Sequence, residues 1–200
     1  MKGLNPEKLI QYLILHCHWS PFEMVDACVQ LETTLDIATQ ILRHRSFTFQ
    51  QFSMRYANSE SAFNETETVR ETRLAHPTNR QSSLETTNTE LCDEWNKRQR
   101  EMYDLSRKNY NWAIENGIAK EVARCVLPQA TNTRLYMKGS IRSFIHYVQL
   151  RSKPDTQKEH REIALEVAKA ISGIFPQIMS FVYKDPKESC ESDIEKALMS

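Results

Sequence analysis

From Thr89 to Asn116 the chain contains neither proline nor glycine, and Gly117 follows at once. A run of that kind is a long helix, ended by a glycine just past the cap, where the backbone turns left-handed. Only four glycines occur in the whole chain, and several other stretches carry the helical period. Glu7 to Cys17 puts Leu9, Ile10, Leu13 and Ile14 on one face. Pro21 bars Ser20 from helical geometry and closes that segment. Leu35 to Leu42 reads as a second helix, Ile118 to Val126 as a short one ending before Pro128, and Ile141 to Leu150 as another. Thr156 to Ile174 reads as a helix framed by Pro154 and Pro176. Phe22 to Glu32 and Thr131 to Lys138 alternate enough for strands. Residues Ala57 to Asn88, rich in Ser, Thr, Asn and Glu, read as a long irregular excursion of the kind that is commonly functional. The expected fold class is α+β and helix-rich, with helices packed on a central mixed or antiparallel sheet. One domain is expected over residues 1–200, with 184–200 as a flexible tail.

Charge and cysteine usage narrow the function classes. Lys+Arg and Asp+Glu both number 26, so the basic excess of a general nucleic-acid binder is missing. A local basic pocket for a small phosphorylated ligand is compatible with that balance. Cys17, Cys28, Cys92, Cys125 and Cys190 form no C-x-x-C pair and read as free thiols of a reducing compartment. No window has the apolar length of a membrane span. A cytoplasmic protein without membrane association is expected. His16, Cys17 and His18 are close together, but no fourth ligand has usable spacing, so no metal is expected.

The segment Arg43 to Tyr56 carries the most chemistry. Arg43, His44 and Arg45 end a helix, Ser53 adds a hydroxyl, and Arg55 shares a face of extended chain with it. Guanidinium forks suit bidentate phosphate contacts. Arg and His at a helix C-terminus can also simply complement its dipole, worth ~0.3–1 kcal/mol each. Spacing alone does not separate these two readings.

The run Arg43-His44-Arg45, seven residues, then Ser53 resembles the signature of flavin-dependent thymidylate synthases. Other segments agree in order. His18-Trp19-Ser20-Pro21-Phe22-Glu23 is similar to that family's upstream segment, and Glu121 to Pro128 to its E-x-A-R-x-V-L-P segment. Arg142, Leu150-Arg151 and Gln157 match its later pattern. The similarity spans roughly residues 7 to 183.

The resemblance implies a reductive methylation of dUMP to dTMP. FAD is the implied cofactor, with NADPH and methylenetetrahydrofolate as co-substrates. It implies FAD contacts at Ser20, Arg43, His44, Arg45, Gln51, Ser140, Arg142 and His146. It implies dUMP contacts at Gln40, Arg43, Gln51, Phe52, Ser53, Met54, Arg55, Arg124 and Arg151. Arg151 stands where the family places the residue that stabilises charge on the uracil; as a helix-end arginine it can also be a cap. A homotetramer with active sites between subunits is implied as well. The chain departs from the family at Gln50-Gln51, where Asn-Glu is common, at Ser140 and His146, where Asn is frequent, and at Met24, where a His is usual. The family usually has a further strand and helix ahead of Glu7–Cys17, and the expected domain lacks them. A catalytically impaired truncated relative is therefore one alternative. A nucleic-acid module is the other, with Phe47, Phe49 and Phe52 as stacking aromatics. Trp95, Tyr103, Tyr110 and Trp112 on the long helix are expected to pack in the core.

Overall fold

The computed structural model describes residues 5–53, 69–80 and 82–184. Helix α1 (Pro6–Leu15) opens with proline and is capped by Asn5, whose side chain accepts from the Glu7 N–H at 3.0 Å. A 3₁₀ turn (Ser20–Glu23) leads into strand β1 (Asp26–Thr34), helix α2 (Leu35–Ile41) and strand β2 (Thr48–Gln51). Strands β3 (Arg73–Ala75) and β4 (Ser83–Glu85) follow. Next come the long helix α3 (Thr89–Glu115) and the short helix α4 (Lys120–Ala123), which tightens into a 3₁₀ turn at Arg124–Val126. Strand β5 (Asn132–Ser140) passes directly into helix α5 (Ile141–Arg151). Helix α6 (Lys158–Ser172) and a 3₁₀ turn at Pro176–Phe181 complete the described chain.

β5 lies at the centre of a sheet ordered β1-β5-β2, antiparallel on both sides, with Leu31 opposite Leu135 and Phe49 opposite Met137. Alternate residues of a strand point to opposite faces. One face therefore carries Leu31, Leu135 and Met137 into the core, where they join Ile37, Ile41, Phe144, Val148, Ala164, Val167 and Ile171. The other face is polar and paired across strands, with Arg134 on Glu32 at 2.8 Å and Lys138 near Asp26 at 3.4 Å. Helices α2, α5 and α6 thus cover a single apolar face, as the α+β expectation requires.

Several boundaries differ from the sequence expectations. The strand expected over Phe22–Glu32 starts at Asp26, because Phe22 is buried within the 3₁₀ turn, and it continues to Thr34. The short helix expected over Ile118–Val126 is a four-residue helix followed by the 3₁₀ turn. Part of the excursion expected over Ala57–Asn88 is ordered: β3 and β4 form an antiparallel pair with Leu74 opposite Leu84. Three-residue strands are too short to show alternation. Residues 57–68 of that excursion, and 185–200 of the expected tail, lie outside the described residues.

Polar contacts to the described residues hold α3 along one side. Gln99 clamps the backbone of Arg70 through two hydrogen bonds of 2.8 and 3.0 Å. Tyr103 donates to the Ala130 carbonyl at 3.3 Å and Ser106 to the Val126 carbonyl at 2.7 Å. Tyr103 and Tyr110 are buried as expected, whereas Trp95 and Trp112 are 45% and 61% exposed. The aromatics fall on two adjacent helix stripes, and the described chain covers only one of them.

Gly139 lets the loop after α2 close onto β5. A Cβ there would sit 2.5 Å from Cδ1 of Phe47, whose ring is edge-on to Phe144 at 4.9 Å. Replacement by alanine should displace that ring. Gly139→Ala should lower the free energy of urea unfolding by about 1–3 kcal/mol, the usual cost of an overpacked core; an unchanged midpoint would show that Phe47 is not confined by β5.

Candidate active site

The residues singled out in the sequence collect around three local constructions. The first is the N-terminus of α5. Ser140 caps that helix, and its hydroxyl donates to Glu23 Oε2 at 2.6 Å. Arg142 reaches the other oxygen of the same carboxylate at 3.0 Å. The Ser143 hydroxyl donates to the Ser46 carbonyl at 3.3 Å. Three stretches distant in sequence, Ser20–Glu23, Arg43–Ser46 and Ser140–Ser143, are thereby joined. Arg43 and Arg45, in the stretch that Ser46 ties to this junction, have exposed side chains, as does His146 farther along α5. The exposed guanidinium groups of Arg43 and Arg45, near a capped helix N-terminus, favour anions. Glu23, Ser46 and Ser143 had no assigned role in the sequence; the Glu of Pro-Phe-Glu was the available signal.

The second construction pairs His44 with Arg151. Arg151 Nε donates to His44 Nε2 at 2.9 Å. The helix-capping reading of Arg151 therefore fails for its Nε–H, which goes to a side chain 107 residues away. Burial, then the charge of Arg151, then His146 lower the His44 pKa to about 4. The ring is uncharged at neutral pH, and since Nε2 accepts, Nδ1 carries the proton. Tyr147 and Phe47 meet the His44 ring edge-on, with centroids 5.0 and 6.5 Å away.

The third construction is a cavity of about 270 Å³ between the end of β2 and the start of α2, lined by Leu35, Gln51, Phe52, Ser53, Arg124 and Leu127. Gln51 donates to the Thr133 hydroxyl at 3.3 Å, and Arg124 Nε to the Glu121 carbonyl at 3.3 Å. Four of the expected nucleotide residues, the cation Arg124 among them, thus line one cavity. Gln40, Arg43 and Arg151 do not line it; Gln40 is instead bonded to Gln157 at 2.7 Å, between α2 and α6. Met54 and Arg55 lie outside the described residues.

Phe47 is buried against Phe144, so it cannot serve as a base-stacking platform. His16 and His18 are exposed and group with Tyr12, with centroid distances of 4.3 Å for His16 and 6.0 Å for His18. Among the described residues no cluster of three His, Cys, Asp or Glu is placed to hold a metal ion. No described helix is long and apolar enough to cross a membrane.

Known proteins resemble this chain over most of its length. The family model described as thymidylate synthase complementing protein matches residues 2–177. The chain is 48% identical over 174 residues to a flavin-dependent thymidylate synthase of Synechocystis sp., covering 87% of this chain and 79% of that protein. It is 43% identical over 170 residues to a probable flavin-dependent thymidylate synthase of Paramecium bursaria Chlorella virus 1, covering 85% and 77%. Its fold is similar to the crystal structure of a UMP/dUMP methylase from Streptomyces cacaoi bound with 5-Br UMP. There the TM-score is 0.74 at 25% identity, over 86% of this chain and 79% of that one.

The buried imidazoles make stability pH-dependent in a definite direction. Burial, then Arg151 and His44, lower the His160 pKa to about 3, alongside about 4 for His44. The unfolded chain takes up these protons near 6.5, whereas the folded one resists until pH 4 or below. Between those limits the unfolded state binds more protons, so stability falls as pH drops below about 6.5. Denaturant titrations from pH 7.5 to 4 should show this loss. His160→Leu should flatten it by about one proton in linkage slope; a wild-type stability that is flat or rises on acidification would contradict the assignment.

Proposed function

The chain belongs to the thymidylate synthase complementing protein family of flavin-dependent thymidylate synthases, and from that premise we propose that it methylates dUMP to dTMP. The proposed cofactor is FAD, with methylenetetrahydrofolate as carbon donor and NADPH as reductant. The observation that carries the reading is the Arg151–His44 bond, which joins the Arg-His-Arg run to the later Leu-Arg element. The donor set suits the cofactor. Arg43, His44, Arg45, Ser140, Arg142 and His146 would hold FAD, with Arg43 and Arg45 offering charge for a diphosphate beside the capped N-terminus of α5. Ser20 and Gln51 would add polar contacts. Bound there, the flavin supplies the hydride chemistry.

The protein's own part is orientation and charge. Arg124 and Ser53 would hold the nucleotide phosphate in the cavity they share, joined by Arg55 from outside the described residues. Gln51 and Phe52 line the same cavity, and Gln40, Arg43 and Met54 complete the nucleotide contacts. Arg151 would stabilise negative charge as it develops on the uracil ring. Its Nε is fixed by His44, so the fork is held in one orientation before substrate arrives, and preorganised donors of this kind act chiefly in the transition state.

The two arginines should separate in kinetics. Phosphate binding is shared by ground and transition states and appears in KM, whereas charge stabilisation appears in kcat. Arg124→Ala should mainly raise the KM for dUMP. Arg151→Ala should cut kcat by ~10²–10³-fold. Steady-state dTMP formation measures both; normal turnover of Arg151→Ala at saturating dUMP would remove it from the chemistry.

We propose the homotetramer as the assembly that completes the site. Trp95, Met102, Leu105 and Trp112 recur at spacings of seven, three and seven along α3, the heptad pattern of a helix seam. All four are at least 44% exposed in the single chain. Leu105→Glu combined with Trp112→Glu should lower the mass measured by light scattering, with loss of dTMP formation. An unchanged tetramer would assign subunit contact to another face.

A further inference from the structure

His160 is completely buried on α6, and none of the roles above uses it. Its Nδ1 lies 3.1 Å from Gln40 Oε1. Gln40 Nε2 donates to Gln157 Oε1 at 2.7 Å, and Gln157 Nε2 donates to Glu159 Oε2 at 2.9 Å. Glu159 receives Arg73 at 2.5 Å and has Arg70 at 3.6 Å. Burial pushes the Glu159 carboxyl up, but its own backbone N–H, the Gln157 amide and the two arginines outweigh this and hold it below its ordinary value.

The direction of every bond in this chain is dictated from its acidic end. An ionised carboxylate only accepts, so Gln157 must turn its NH₂ toward Glu159 and its oxygen toward Gln40. Gln40 must then donate through Nε2, leaving its oxygen toward His160. That oxygen requires a donor, so His160 carries its proton on Nδ1. Arg70 and Arg73 anchor the far end to the β3 segment, Arg70 also through Thr34 at 2.6 Å and Asp36 at 3.0 Å. His44 and Tyr147 flank the His160 ring, at centroid distances of 6.3 and 5.9 Å, and His160 Nε2 is buried without a hydrogen-bond partner among the described residues. A fully buried ring under the influence of the Arg151 charge stays neutral, with one donor only.

We propose that His160 is a positioning residue for the nucleotide, acting through Gln40. By holding the Gln40 oxygen, it locks that amide in the orientation Gln157 sets, so that the same end donates and the same end accepts when Gln40 meets dUMP. A flipped amide would offer a donor where the base or sugar requires one acceptor, and the reverse. The proposal rests on the reading of Gln40 as a nucleotide contact. Gln157 belongs to the same device from the other side, since it holds the Gln40 nitrogen.

Calorimetric titration of dUMP into the purified flavin-loaded protein tests this without relying on turnover. His160→Leu, which removes the donor at similar volume, should weaken dUMP binding by about fivefold or more. His160→Asn, which retains an N–H near the Nδ1 position, should recover most of it. Gln157→Ala breaks the relay at a half-buried helix cap, so it tests the same device even if His160→Leu does not fold. It should weaken dUMP binding in the same direction. The decisive measurement is the cycle of Gln157→Ala and His160→Leu with Gln40→Ala. Either change should add nothing once Gln40 is truncated, because coupled residues are non-additive. Independent, multiplying penalties would overturn the positioning role. If Gln40→Ala itself leaves dUMP affinity unchanged, the reading of Gln40 as a nucleotide contact falls. Full affinity in both His160→Leu and Gln157→Ala, with Gln40→Ala impaired, overturns the relay alone.

Discussion

A guanidinium donating to an uncharged imidazole organises the functional half of this protein. Arg151 stands at the end of α5 and His44 in the loop after α2, and their 2.9 Å bond fixes both. A charged His44 could not accept that proton, so the pair depends on burial holding the ring neutral. Burial in turn depends on Phe47, Phe144 and Tyr147 closing around the loop, and on Gly139 leaving room for the Phe47 ring. Backbone sterics, aromatic packing and protonation state therefore converge on one guanidinium, that of Arg151. The same logic recurs next door, where burial keeps His160 a single donor and the Glu159 carboxylate sets the polarity of two amides.

The stability of these arrangements comes from elements outside the site. The central strand β5 passes straight into α5 at Ser140, so sheet register and helix start are one decision. That places Ser140, Arg142 and Ser143 against Glu23 and Ser46. At the other side, Gln99 on α3 clamps the Arg70 backbone, and Arg70 and Arg73 hold Glu159 and Asp36. The long helix thus braces the relay behind Gln40, while its apolar seam remains uncovered in the single chain.

Much of this was legible in the sequence, for identifiable reasons. The helix α3 and its end at Gly117 were legible because the left-handed backbone there, with φ of 76°, favours glycine. α2 and α5 were legible from their periodicity. The short pair β3–β4 was not, because three residues cannot display a period of two. Trp95 and Trp112 were misassigned to the core because helical spacing locates a stripe without saying which body covers it. The Arg-His-Arg run and Arg151 could be singled out separately. Their direct bond could not, since a contact across 107 residues is a property of topology. The Gln40–His160 relay was hidden for the same reason, and because a lone histidine in an amphipathic helix has no local pattern.

Flavin chemistry on dUMP is the central claim, and the folate product reports on it most directly. If the hydride comes from a reduced flavin, methylenetetrahydrofolate gives up its carbon without being oxidised. Purified protein supplied with FAD, NADPH, dUMP and methylenetetrahydrofolate should then form tetrahydrofolate in step with dTMP. Dihydrofolate accumulating in step with dTMP, or dTMP formed without flavin, would mean that the folate supplies the hydride and would contradict this account.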